Sequence, residues 1–189
     1  PFRDQLPFME TLFGGILPGD FRPGTGTEPM TALIGKAAPE AEAKQPVQLI
    51  PLICFEDTVG RLARRFARPG PQILANITND GWFLQSSETE IHLHNALFRA
   101  VELRRPMLRA ANTGVSCFID PLGRITSRLS DPVTGTSFIE GCLPGNIAVP
   151  RQGEMTFYAR YGDVFSLTCL SLCALLIMLK RLRRRAGSS

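Results

Sequence analysis

The sequence predicts an α/β fold that ends in an apolar helix, and three observations carry that reading. Val47 to Phe55 (VQLIPLICF) and Gln72 to Thr78 (QILANIT) are short apolar runs of the kind that form buried strands. Between them, Thr58 to Arg68 carries Arg and Ala at helical density, which makes a strand, helix, strand unit and therefore a parallel pair. Near the end, Val164 to Leu179 is an uninterrupted uncharged run of sixteen residues bounded by Asp163 and Lys180.

The remaining elements follow in order. Residues 14 to 46 hold eleven Gly or Pro among 33 positions with no sustained apolar period, so they read as one long loop, either a lid or substrate mouth or a poorly ordered insertion. Glu88 to Arg105 is the best helix of the body: Leu93, Ala96, Leu97, Ala100 and Val101 share one stripe, and Pro106 stops it. On another stripe His92, Asn95, Arg99 and Glu102 recur at spacings of three, four and three, a polar face that solvent would ordinarily cover. Met107 to Ala111 is a strand, and Val115 to Ile119 and Arg124 to Leu129 form a hairpin around Asp120-Pro121-Leu122-Gly123. A last strand is expected over Ser137 to Leu143.

As a helix the sixteen-residue run spans ~24 Å, short of the ~30 Å hydrocarbon core, so Tyr158, Tyr161 and the long chains of Lys180 or Arg181 have to supply the rest. A buried core helix is the competing reading. Five basic residues in the last ten favour the membrane, with the tail cytoplasmic and the body on the outer side. They also account for the net charge of +4, since without them the body is about neutral. A nucleic-acid partner is thereby not expected. Five cysteines at irregular spacing make no disulfide framework, no CxxC pair occurs, and His92 and His94 diverge on a helix, so neither a metal nor another cofactor is expected.

Cys54 ends an apolar strand and is followed by Phe55, Glu56 and Asp57, which puts a thiol at the C-terminal edge of the sheet where open α/β sheets place their sites. Two acids beside it work against a thiolate, so a nucleophilic Cys54 needs a cation and a base from elsewhere. The second strand ends in Asn79-Asp80-Gly81-Trp82-Phe83, bringing an amide, a carboxylate and the only Trp to the same edge. GxSxG, HExxH and Walker signatures are absent.

Four ordered blocks carry a resemblance: Leu52-Ile53-Cys54-Phe55-Glu56, Asn79-Asp80-Gly81-Trp82-Phe83, Arg99 to Pro106 (RAVELRRP), and Leu108 to Ser116 (LRAANTGVS). In this order they resemble the apolipoprotein N-acyltransferases, the membrane-bound branch of the nitrilase superfamily, and the likeness extends through Tyr158 to Asp163 into the final helix. The resemblance implies a partial αββα four-layer sandwich over residues 1–160, a transmembrane helix over 161–180 and a basic cytoplasmic tail over 181–189. It places the protein in a bacterial inner membrane with its catalytic domain periplasmic. The reaction it implies moves an acyl chain from a phospholipid to the α-amino group of diacylglyceryl-cysteine in an apolipoprotein. Cys54 would be the nucleophile of a Glu, Lys and Cys triad. The backbone N–H of Phe55 would help hold the oxyanion and Glu56 would support the site. Asn79, Trp82 and Phe83 would line the pocket, and Glu102 would match a helix glutamate near the lysine. The polar face of His92, Asn95, Arg99 and Glu102 would then look inward.

The triad's Glu and Lys precede a Pro-Phe-Gly-Glu block in that family, and Pro1-Phe2-Arg3-Asp4 falls inside that block with Arg3 for Gly and Asp4 for Glu. The expectation is a C-terminal piece of a longer enzyme that does not turn over alone. A membrane-anchored nitrilase-type amidase and a non-catalytic anchored interaction module are the two alternatives.

Overall fold

The computed structural model describes residues 26–34, 45–84 and 86–186. Asp4 and the parts of the 14–46 segment before residue 26 and from 35 to 44 lie outside the described residues. The chain forms β1 (Met30–Ile34), β2 (Gln45–Ile53), α1 (Gly60–Phe66), β3 (Gln72–Asn79), α2 (Glu88–Leu103), β4 (Met107–Asn112), β5 (Cys117–Ile119), β6 (Ile125–Arg128), α3 (Phe157–Tyr161) and α4 (Val164–Ala186). The six strands among the described residues lie in one sheet in sequence order. β2, β3 and β4 are parallel, and β1, β5 and β6 extend the sheet antiparallel on either side.

Alternation along the strands decides which face is covered. Ile50 and Leu52 of β2, Leu74 of β3 and Met107 of β4 are fully buried against Ala63 and Ala67 from the α1 side and Leu93, Ala96, Ala100 and Leu103 of α2. Alanines at the contact let both helices lie close to the sheet. On the opposite face Ile53 and Ile77, direct partners in the β2–β3 register, stay 67% and 66% exposed. The described residues therefore supply one sheet with a helix layer on one face, and the other face is exposed at the C-terminal ends of β2 and β3, while Val47 and Ile73 on the same face are buried.

The structure corrects the expected elements at three places. Met30–Ile34 is a strand inside the segment read as a loop: it pairs with the free edge of β2 from Met30↔Leu49 to Ile34↔Gln45, and five residues are too few to register as a period. Ser137 to Leu143 is not a strand. Ser137 is buried and its hydroxyl is taken by the Arg128 guanidinium at 2.8 and 3.1 Å, so a side-chain tie replaces a ladder there. β2 stops at Ile53, and Cys54–Thr58 turns into a 3-10 helix instead of finishing the strand.

Beyond the hairpin an irregular arm returns to the body. Arg105, 1% exposed, holds it by donating to the carbonyls of Gly153 and Glu154 and to those of Arg68 and Arg104. Thr156 then caps α3, accepting from the Ala159 N–H at 3.0 Å while its hydroxyl donates to the Glu102 carbonyl. Gly162 breaks the chain between α3 and α4 at φ 64, and a Cβ there would come within 3.0 Å of the Arg64 guanidinium carbon. Within α4, Val164–Arg183 has a mean hydropathy of 1.8 and none of it is buried against the described residues. By length and composition it is long enough to cross a membrane.

Candidate active site

The C-terminal ends of the three parallel strands converge on one edge, and the turn leaving each carries a non-glycine residue in left-handed backbone: Cys54 at φ 52, Leu84 at φ 52 and Thr113 at φ 55. Each such residue costs about 1–2 kcal/mol and persists only where its surroundings hold it. At Cys54 the restraints are visible. The Asn76 amide donates to the Cys54 carbonyl at 3.1 Å and to that of Leu52 at 3.3 Å. One residue before Cys54, the Ile53 N–H donates to the Glu56 carboxylate at 2.8 Å. Thr58 donates to the Phe55 carbonyl at 2.8 Å, and Arg99 reaches from α2 to the carbonyls of Asp57 and Thr58 at 3.1 and 3.2 Å. The half-buried thiol thus rides on a sharp strand-to-helix turn that is tied from both sides.

Behind this turn lies a closed ring of four charged side chains, each with a side-chain exposure of 0%. His92 bonds Asp57 through Nε2 and Asp80 through Nδ1, both at 2.8 Å. Arg109 donates to the second oxygen of Asp57 at 2.6 Å and of Asp80 at 3.2 Å, and to Asn76 at 2.7 Å. Burial and the Arg109 charge work against charging His92, but the hydrogen bonds of the two aspartates and the negative charge of Asp57 overcome them, so the imidazole is raised to about 9 and is an imidazolium at neutral pH. Burial likewise pushes the Asp80 carboxyl upward, and the bonds from His92 and Thr78 with the charges of His92 and Arg109 bring it below its usual range. Among the described residues no His, Cys, Asp and Glu set is grouped to hold a metal ion.

The expected site residues divide into those that meet and those that stand apart. Phe55 lies with its ring stacked on His92, centroids 4.3 Å apart, and meets the Phe83 ring edge-on at 5.6 Å. Cys54, Phe55, Glu56, Phe83 and His92 are therefore one assembly. The Asn79 side chain caps the following turn by accepting from the Gly81 N–H at 3.1 Å, and Trp82 points outward, 83% exposed. Glu102 bonds Arg99 at 2.7 Å near the α3 junction, one helical turn further from the sheet edge. The inward turn of the polar face holds for His92 and Arg99, both buried, while Asn95 caps back onto the Ile91 carbonyl.

Asn76 and Arg109 were not singled out by their chemistry, and Asp57 and Asp80 were read only as acids at the sheet edge, although the sequence holds a clue. Asn76 and Thr78 share a strand parity with the fully buried Leu74, and Arg109 shares one with Met107. Polar or charged residues at core positions demand partners.

Residues 12–140 match the family model described as carbon-nitrogen hydrolase. The chain is also similar to curated proteins named apolipoprotein N-acyltransferase: 38% identical to that of Geobacter metallireducens over 95% of this chain and 30% of the relative. The corresponding figures are 42%, over 98% and 32%, for Bradyrhizobium diazoefficiens, and 41%, over 83% and 27%, for Rhodopseudomonas palustris. The chain thus spans about a third or less of the length of these relatives. With the family model matching well over half of its residues, including the turn that carries Cys54, the chain belongs to the carbon-nitrogen hydrolase family.

Proposed function

We propose that this chain carries the nucleophile of a lipoprotein N-acyltransferase, moving an acyl group from a membrane phospholipid to the α-amino group of diacylglyceryl-cysteine in an apolipoprotein. The observation that carries the reading is Cys54: a thiol at the end of a parallel strand, in left-handed backbone, on a turn tied by Asn76, Arg99 and Glu56. Such a turn presents a side chain outward from the sheet edge toward a substrate. The family match and the names of the relatives support the reaction class.

In the proposed reaction the Cys54 sulfur attacks the ester carbonyl and gives its proton to a general base. The tetrahedral intermediate collapses by breaking the acyl C–O bond, and the lysophospholipid oxygen leaves with that proton. The amine of the acceptor then attacks the thioester, forms the amide and returns a proton to the thiol. Splitting ester-to-amine transfer in two lets one activated nucleophile serve both halves. The N–H of Phe55 faces the developing oxyanion, Glu56 fixes the turn, and Asn79, Trp82 and Phe83 border the acyl and acceptor groups. No described residue is assigned the role of the base Glu or of the Lys that the reading requires. The span Val164–Arg183 anchors the domain in the inner membrane, with the sheet periplasmic and the basic end cytoplasmic.

The test is the mass of the native polypeptide purified from membranes and exposed to phospholipid, before and after hydroxylamine. A hydroxylamine-labile acyl adduct on the Cys54 peptide, absent from Cys54→Ser, is the expected result. No adduct in the native polypeptide overturns the nucleophile assignment, and an adduct discharged by water but not by an amine acceptor makes the protein a hydrolase.

A further inference from the structure

The ring of Asp57, His92, Asp80 and Arg109 joins segments that are otherwise separate. Asp57 belongs to the turn after β2, Asp80 to the turn after β3, Arg109 to β4 and His92 to the first half of α2. Each carboxylate spends one oxygen on each cation, so the four bonds close on themselves and no member is left with a free charge. A ring of this kind is a poor stabiliser, because removing four charges from water offsets most of their attraction and a packed apolar cluster would hold the fold as well. What it supplies is registry: neither turn can shift without breaking two charge-assisted bonds in a place that water does not reach.

Its connections lead to the thiol. Arg109 donates to the Asn76 carbonyl oxygen, which leaves the Asn76 amide to donate to the Cys54 carbonyl. Asp57, three residues on, is held directly, and Phe55 between them is stacked on the His92 ring. We propose that this ring is the positioning device of the active site: it holds Cys54 in its left-handed conformation by fixing both ends of the Cys54–Asp57 segment, and it couples that segment to the Asp80–Phe83 turn that borders the substrate. This rests on the reading of Cys54 as the nucleophile, and its test separates the two. His92, Asp57, Asp80 and Arg109 are positioning residues, since they act on the reacting sulfur only through the turn.

Two variants of the native polypeptide, purified in detergent, test it. His92→Gln removes the cation between the aspartates; Asn76→Ser removes the amide that holds the Cys54 and Leu52 carbonyls and one acceptor of Arg109 but none of the four salt-bridge partners, so it tests the link even if the first variant does not fold. Amide hydrogen exchange over residues 54–58 is expected to speed up at least tenfold in either variant, with residues 93–103 and 72–75 within twofold of wild type. Cys54 adduct formation is expected to slow at least tenfold at saturating phospholipid, with the half-saturating concentration within twofold. Unchanged exchange at 54–58 in both variants, or a rise in Asn76→Ser spread evenly through the sheet and α2, overturns the proposal and leaves the ring as a fold element only. Locally faster exchange together with no adduct in wild type keeps the positioning role and discards the nucleophile assignment.

Discussion

His92 lies parallel to the Phe55 ring, 7° between planes and 4.3 Å between centroids, while both its nitrogens bond buried aspartates. Its edge is thus saturated by two anions and its face is covered by the aromatic residue that follows Cys54. A cation on a ring face is favourable and strengthens as water is excluded. The imidazolium therefore fixes the plane of Phe55, and with it the direction of the backbone beside Cys54.

This arrangement makes stability depend on pH with a definite sign. Asp57, Asp80 and Arg109 are the charged groups that face His92, and together with its burial they leave it with a pKa of about 9 against 6.5 for the free side chain. The folded state binds the proton more tightly, so the stabilisation is fully present below about pH 6.5 and is lost as pH rises through 9. A difference of this size is worth on the order of 3 kcal/mol at its limit. Urea midpoints of the native polypeptide should fall between pH 7 and pH 10, and the fall should be much smaller in His92→Gln.

Gly114 supplies a second prediction. It adopts φ 110, and a Cβ there would sit 2.7 Å from the buried carboxylate oxygen of Asp80 that Arg109 holds. Gly114→Ala therefore combines an unfavourable backbone with a displaced charge and is expected to cost at least about 2 kcal/mol. Gly135, at φ 71 with open space around it, is the control. Its alanine variant should lose only the backbone part, about 1–2 kcal/mol, in the same denaturation measurement.

Much of the sheet was legible because parallel strands buried on a face are apolar and end abruptly. α2 falls within the run that predicted it, β2, β3 and β4 match theirs to within two residues at each end, and the position of Cys54 at a strand end followed from the same runs. β1 was hidden because an edge strand of five residues needs only a neighbour's free edge, not a pattern of its own. The false strand over Ser137 to Leu143 failed because its backbone meets no ladder and Arg128 claims Ser137. In the site, His92 stood out on the polar stripe of its helix, while the ring it closes with Asp57, Asp80 and Arg109 was not foreseen. Asp57, Asp80 and Arg109 look like ordinary surface charges until topology brings three strand ends together.

Arg105 is expected to matter for stability and not for chemistry. Its guanidinium is buried with carbonyl oxygens as its main partners, and burial lowers its pKa. Arg105→Ala leaves several buried acceptors without donors and frees the arm that leads to α3, at an expected cost of about 2–4 kcal/mol. Proteolysis under native conditions should then cut first between residues 130 and 155, with His92 and its ring still protected in hydrogen exchange.

The orientation proposed for α4 can be read from cysteines already present. Cys142 is exposed on the arm, whereas Cys169 and Cys173 lie one turn apart inside the apolar span. Reagents that do not cross membranes reach a thiol in water and not one facing lipid. In spheroplasts a charged maleimide should therefore label Cys142 from the outside and leave Cys169 and Cys173 unmodified until detergent is added. Labelling of Cys142 only after the membrane is opened would place the sheet on the cytoplasmic side. Rapid labelling of Cys169 and Cys173 in intact spheroplasts would mean that the helix does not span the bilayer at all.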